Sequence, residues 1–327
     1  MDCQFTLLTS HGLYSCHTSN NMKFQAASRE LHIPDATQGV TFSALLFYPT
    51  TSPAIATAFG PYVLEVARDA PPADGSFPLL VLSHGNGGSP LLYRDLATHL
   101  ARGGYIVVAP KHPGNSVGDN ALADAAANLV NRPRHVGLCL DAVLADPLLR
   151  SRVAPRAIGA IGHSMGAYSV LCAAGAQPWN RERTPIPVRH DERLRALVLL
   201  APAGEFFGVP EGAVPGALDQ VTQPLLILAA EQDPVTPNWQ AKMLRDGVPD
   251  PARVQLRIVP GSGHFSFLGV FPPQMRRVDF APSQDPPGFD REAFQRQLTV
   301  EVQSFLDAAL AGLRSDPAQR GALRQRL

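Results

Sequence analysis

The chain has 327 residues, room for one large α/β domain or two smaller units, and its 45% hydrophobic against 17% charged residues exclude wholesale disorder. Lys+Arg and Asp+Glu stand at 28 each, so the net charge is 0 and the basic excess needed for nucleic acid or an anionic membrane surface is absent. No apolar run approaches the roughly 18 residues of a membrane-spanning helix, and residues 1–28 lack the basic start and apolar core of a secretory signal, so a cytoplasmic protein is expected.

In chain order, residues 41–48 and 62–66 predict an antiparallel edge. Short apolar runs at 79–83, 105–110, 157–162, 194–201, 224–230 and 254–259, bounded by Gly, Pro or Arg, predict buried parallel strands. Between them, helical spacing predicts helices over 91–102, 134–146, 165–175 and 237–245. A last helix over 291–313 carries Phe294, Leu298, Val302, Phe305, Leu306 and Leu310 at helical spacing. Such alternation predicts a doubly wound, mostly parallel sheet with helices on both faces. Three stretches break it, 176–191, 203–222 and 265–288, and loops of that length read as lid-like insertions. The expected organisation is an N-terminal extension (1–38), one α/β domain (39–313) and a polar tail (314–327).

Four cysteines, Cys3, Cys16, Cys139 and Cys172, show no C-x-x-C spacing, so neither a metal nor a redox site is expected. Cys139 and Cys172 fall in apolar helical stretches and read as buried free thiols; Cys3 and Cys16 could pair only on export.

The sharpest signal is Gly162-His163-Ser164-Met165-Gly166, which follows a predicted strand and opens a predicted helix. That is the context of a nucleophile elbow. A serine hydroxyl is a weak nucleophile, so it must be thrust out of the sheet towards a base, and the strained turn that does so leaves no room for side chains at the flanking positions. The helix N-terminus behind it offers unpaired N–H groups to a developing anion.

The base must hold a proton near neutral pH, which points to histidine. Of ten histidines, His264 in Pro260-Gly261-Ser262-Gly263-His264-Phe265 follows the last strand and can swing over the nucleophile. His84, His112 and His163 lie at strand ends and are expected to line or brace the site. A carboxylate must fix the imidazole tautomer. Asp233, after the strand at 224–230, satisfies the order Ser164…Asp233…His264; Glu205 is the second candidate. For the oxyanion, the Met165 N–H would pair with that of Asn86 in Ser83-His84-Gly85-Asn86-Gly87-Gly88, where flanking glycines let the backbone turn inward. The same loop is not a phosphate cradle, because the Walker spacing is missing.

These residues, together with Pro78–Gly85 as Pro-Leu-Leu-Val-Leu-Ser-His-Gly, Lys111-His112-Pro113-Gly114-Asn115 and Asn131-Arg132-Pro133, resemble an α/β hydrolase. Within that superfamily the chain is similar to the predicted dienelactone hydrolase and platelet-activating-factor acetylhydrolase-like group, over roughly residues 40–310. It departs in two places. Dienelactone hydrolases use a cysteine where Ser164 stands, and the acetylhydrolases carry their acid after the strand before the lid, where Leu200-Ala201-Pro202-Ala203 has no carboxylate.

The expected chemistry is hydrolysis of a small-molecule carboxylic ester through an acyl-enzyme, with Ser164 as nucleophile and no cofactor or metal. A lactonase or dienelactone-type hydrolase, a thioesterase or an amide hydrolase would use the same residues. A non-catalytic binding protein on this fold is the reading from a different class, and a fluorophosphonate probe separates it. Trp179, Phe206, Phe207, Phe265 and Phe267 are candidates for an apolar substrate pocket, against the alternative that they pack beneath loops.

Overall fold

A computed structural model of the chain describes residues 22–313. The expectations for Cys3, Cys16 and the tail 314–327 lie outside the described residues.

The chain starts with an antiparallel pair, β1 (Gln25–Asp35) and β2 (Val40–Thr50), and a hairpin, β3 (Ile55–Phe59) and β4 (Tyr62–Arg68). Alternation then sets in with β5 (Phe77–Ser83), α1 (Arg94–Arg102), β6 (Ile106–Pro110), α2 (Ala126–Ala145), β7 (Val153–His163), α3 (Met165–Ala173) and β8 (Leu194–Leu200). A minimal hairpin follows, β9 (Gly208–Val209) and β10 (Gly212–Ala213), and then β11 (Leu225–Ala230), α4 (Asn238–Gly247), β12 (Val254–Val259) and α5 (Arg291–Leu310). The ten long strands form one sheet in the order β12-β11-β8-β7-β5-β6-β2-β1-β4-β3. From β12 to β6 every neighbour is parallel; β2 joins β6 antiparallel.

The period-two alternation of the strands divides the core. In β5, Leu79 and Val81 point to one face, and Leu80 and Leu82 to the other. β8 does the same with Leu197 and Leu199 against Val198 and Leu200. The first face is covered by α2, α3 and α4 through Val136, Leu140, Val170 and Leu244. The second is covered by α1 and α5 through Leu96, Leu100, Leu298, Val302 and Leu306. A strand buried on both faces reads as an unbroken apolar run, which is why the central strands are visible in the sequence. Each fully buried leucine contributes about 1.5–3 kcal/mol. Cys139 and Cys172 are buried free thiols on the first face. Among the described residues no helix is long and apolar enough to cross a membrane.

Two expectations are corrected. Residues 25–35, assigned to an N-terminal extension, form β1 and pair with β2 from Gln25↔Thr50 to Asp35↔Val40. The strand was hidden by its charges, whose partners are remote in sequence: Arg29 meets Asp146, and Asp35 meets Arg134 at 2.6 Å. The helix expected to begin at Arg134 begins at Ala126 and contains Pro133. Proline disfavours helix in the residue before it and has no N–H for the carbonyl four residues back. Here that carbonyl, Leu129, accepts instead from Tyr168 Oη of α3 at 3.0 Å.

Tyr168→Phe therefore removes the partner of a half-buried acceptor and should lower stability by about 1 kcal/mol in urea unfolding. Adding Pro133→Ala, which restores an N–H to Leu129, should recover part of that loss. An unchanged midpoint in the single variant would show that Leu129 does not depend on the phenol.

Candidate active site

β7 runs straight into α3 with one residue between them, Ser164, at φ 54° and ψ −121°. A non-glycine residue there is strained by about 1–3 kcal/mol and persists only where its surroundings hold it. A Cβ on Gly162 would strike the Gly166 backbone, and one on Gly166 would strike the Ser83 carbonyl. The glycines let α3 press against the ends of β7 and β5. The Ser164 N–H donates to the Leu200 carbonyl at 2.9 Å, which locks the turn to β8.

His264 opens a 3-10 turn, His264–Phe267, after β12. Its Nε2 lies 3.0 Å from Ser164 Oγ, and its Nδ1 lies 2.8 Å from Asp233 Oδ2. All three side chains are buried or nearly so, Ser164 retaining 8% exposure. Burial alone would raise the Asp233 pKa, but hydrogen bonds from His264 and Thr236 outweigh it and hold the carboxyl below its usual range. The Val235 and Thr236 N–H groups each donate to Oδ1 at 2.8 Å, and the Thr236 hydroxyl donates to Oδ2 at 2.8 Å. Thr236 was missed in the sequence; its signal is the Asp-x-x-Thr turn that begins at Asp233. Glu205 is exposed and stands beside Met165 in a separate depression, so the carboxylate on His264 Nδ1 is that of Asp233.

The turn carrying His264 is pinned from two sides. Ser266 Oγ accepts from the Gly263 N–H at 3.0 Å and donates to Asp285 at 2.6 Å, which in turn pairs with Arg291 of α5. From below, His163 Nε2 donates to the His264 carbonyl at 3.0 Å, and its Nδ1 accepts from Tyr93 Oη at 2.8 Å. That arrangement requires a neutral imidazole.

The loop after β5 brings Gly85 against Ser164 and His163. Among the described residues, no hydrogen bond occupies the N–H of Asn86 or of Met165. Met165 is the first residue of α3, where an N–H has no partner within the helix.

Beneath the loop a chain of polar side chains runs inward from the half-buried Gln38. His135 Nε2 donates to Gln38 Oε1 at 2.6 Å, so its Nδ1 accepts from His112 Nδ1 at 3.0 Å. His112 Nε2 must then accept from Ser83 Oγ at 2.9 Å. His84 donates from Nδ1 to the Gly85 carbonyl at 2.7 Å and accepts the His112 N–H at Nε2. Burial holds His84, His135 and His163 down to about 3 and His112 well below its usual value.

Two depressions meet at Asn86. One, of about 570 Å³, reaches Ser164 and His264 and is walled by Tyr62, Leu91, Phe265, Leu268, Met275 and Phe280. No Asp, Glu, Lys or Arg is among the described residues that line it. The other, of about 660 Å³, contains Met165, Trp179 and Phe206 with Asp124, Arg181, Glu182 and Glu205. Of the expected pocket aromatics, Phe265 lines the first, and Trp179 and Phe206 the second. Phe207 and Phe267 line neither. Phe207 is fully buried against Tyr168, and Phe267 packs on Phe294 and His163.

A family model described as "Alpha/beta hydrolase family" matches residues 80–278. One described as "Platelet-activating factor acetylhydrolase, isoform II" matches residues 13–139. No curated protein matches the chain. Among solved structures it is similar to a ferulic acid esterase from Streptomyces cinnamoneus, at 22% identity and a TM-score of 0.62, over 90% of this chain and 93% of that one. That likeness establishes the fold.

The buried histidines predict an acid-labile fold. The unfolded chain protonates His84, His112, His135 and His163 as pH falls through about 6.5, whereas burial makes the folded chain refuse those protons until about 3 at His84, His135 and His163 and until well below the usual range at His112. Unfolding therefore takes up protons in this window, and stability falls with pH, by about 1.4 kcal/mol per unit for each histidine at full effect. Urea midpoints should drop steeply between about pH 7 and 5. A flat profile would show that these imidazoles are charged in the folded protein.

Proposed function

The chain belongs to the alpha/beta hydrolase family, and on that footing we propose that it is a serine hydrolase that cleaves a carboxylic ester through an acyl-enzyme. The observation that carries the reading is the unbroken hydrogen-bonded line from Ser164 Oγ through His264 to Asp233, at 3.0 and 2.8 Å, on a hydroxyl raised by the strained turn.

His264 donates its Nδ1 proton to Asp233, so Nε2 carries a free lone pair facing Ser164. As Ser164 Oγ attacks the ester carbonyl, Nε2 takes its proton. The imidazolium so formed is stabilised by Asp233, which its hydrogen bonds keep ionised. The carbonyl oxygen becomes an oxyanion and is met by the N–H groups of Asn86 and Met165, each such donor being worth about 3–4 kcal/mol in the transition state. Collapse expels the alcohol, which leaves with the proton from His264. Water then repeats the sequence on the acyl-enzyme, giving up its proton to Nε2 and releasing the acid and Ser164.

The uncharged lining of the cavity beside Ser164 favours a neutral, apolar portion of the substrate on that side. An ester fits the descriptions of the relatives, an acetylhydrolase family over the first part of the chain and a ferulic acid esterase across the fold.

Ser164→Ala should keep the fold and lose hydrolysis of a p-nitrophenyl ester by about 10³-fold or more, together with labelling by a fluorophosphonate. Activity near wild type would defeat the proposal, and a wild type that never takes the probe would point to a binding protein. Asp233→Asn should be far more damaging than Glu205→Gln; the reverse order would move the acid to Glu205. A panel of esters, lactones, thioesters and amides ranked by kcat/KM distinguishes the leaving groups.

A further inference from the structure

Arg132 heads the fully buried side chains by size. Its guanidinium donates from Nε to Ser169 Oγ at 3.0 Å, from Nη1 to Asn115 Oδ1 at 2.6 Å, and from Nη2 to the His84 carbonyl and to Ser83 Oγ, the latter at 3.4 Å. None of these partners is a carboxylate. Burial draws its pKa down to about 9, which leaves it charged at neutral pH. A buried cation without a counter-ion is expensive to desolvate, and here hydrogen bonds to neutral partners are all that offset the cost.

The partners of Arg132 lead to both N–H groups assigned to the oxyanion. Asn115 Nδ2 donates to Asn86 Oδ1 and to Asn120 Oδ1, the latter at 2.7 Å. Ser169 Oγ donates to the Met165 carbonyl at 2.8 Å. The His84 carbonyl belongs to the same loop, two residues before Asn86. One planar fork thus reaches the Asn86 side and the Met165 side of the site, each through a single intermediate side chain. Arginine supplies that geometry because its five donors are rigidly arranged, whereas lysine carries the same charge as a point on a flexible stem.

We propose that Arg132 is a positioning residue of the oxyanion hole, its guanidinium clamping the Asn86 loop through Asn115 and the start of α3 through Ser169. The proposal rests on the serine hydrolase reading. Arg132, Asn115 and Ser169 line neither depression and none of them bonds His264, so the clamp acts on the donors of the transition state and leaves the apolar cavity wall and the general base alone.

The test uses the full chain with Arg132→Lys, Asn115→Ala and Ser169→Ala, reading kcat, KM and the pH profile on a p-nitrophenyl ester. Loosened donors should lower kcat by roughly 10-fold in each single-arm variant and by roughly 100-fold in Arg132→Lys, with KM within about 2-fold and the acid limb of the profile unmoved. Adding Asn115→Ala to Arg132→Lys should cost little more, because the arm is already released. Full activity in Arg132→Lys, a KM that rises in step with the fall in kcat, or additive losses in the double variant would each overturn the clamp. If Arg132→Lys does not fold, unimpaired kcat in both single-arm variants overturns it. A wild type inert towards both ester and fluorophosphonate defeats the hydrolase reading instead.

Discussion

The close approach of α3 to the ends of β5 and β7 is the constraint on which the rest of the site depends. Gly166 lies under the Ser83 carbonyl, and Gly162 under Gly166, so a side chain at either position would push the helix off the sheet. With the helix seated, Ser164 is held at a positive φ. The strain is offset by the Ser164 hydrogen bond to Leu200 and by α3, buried at every residue from Gly166 to Ala173. The same contact places Gly85 against Ser164 and so determines where Asn86 stands.

Seating a helix so close to a sheet leaves polar groups stranded at the strand ends, and the protein satisfies them with one another. Gln38, His135, His112 and Ser83 form a line in which each donor meets an acceptor, with Arg132 closing it at Ser83. Only neutral imidazoles allow that order, so a proton added to any of these rings would break it. His163 belongs to the same logic, since it holds the backbone of His264 rather than any reacting atom. Two sorts of histidine therefore share the region: one whose ring faces the serine hydroxyl, and several that keep the scaffold around it rigid.

The surface is divided as sharply as the interior. Asn86 stands on the ridge between an uncharged cavity and a depression with four charged side chains. On the proposed function, an ester lying across Ser164 would meet two environments, and the polarity of its two halves would decide which way round it binds.

The sequence by itself determined what depends on local period and turn chemistry. The parallel strands are legible because burial on both faces leaves an unbroken apolar run, and the serine turn is legible because its glycines are required by clashes with nearby backbone. Ser164, Asp233 and His264 stand out because each follows a strand. Tertiary structure alone decided what depends on partners from elsewhere in the chain. β1 looked like an extension because its charges find Asp146 and Arg134 only in the folded protein. The start of α2 was placed too late because the carbonyl orphaned by Pro133 is satisfied from α3. Phe207 and Phe267 could not be told from Phe265, since an aromatic ring has the same chemistry in a core as on a cavity wall, and only the packing of distant elements settles which it meets.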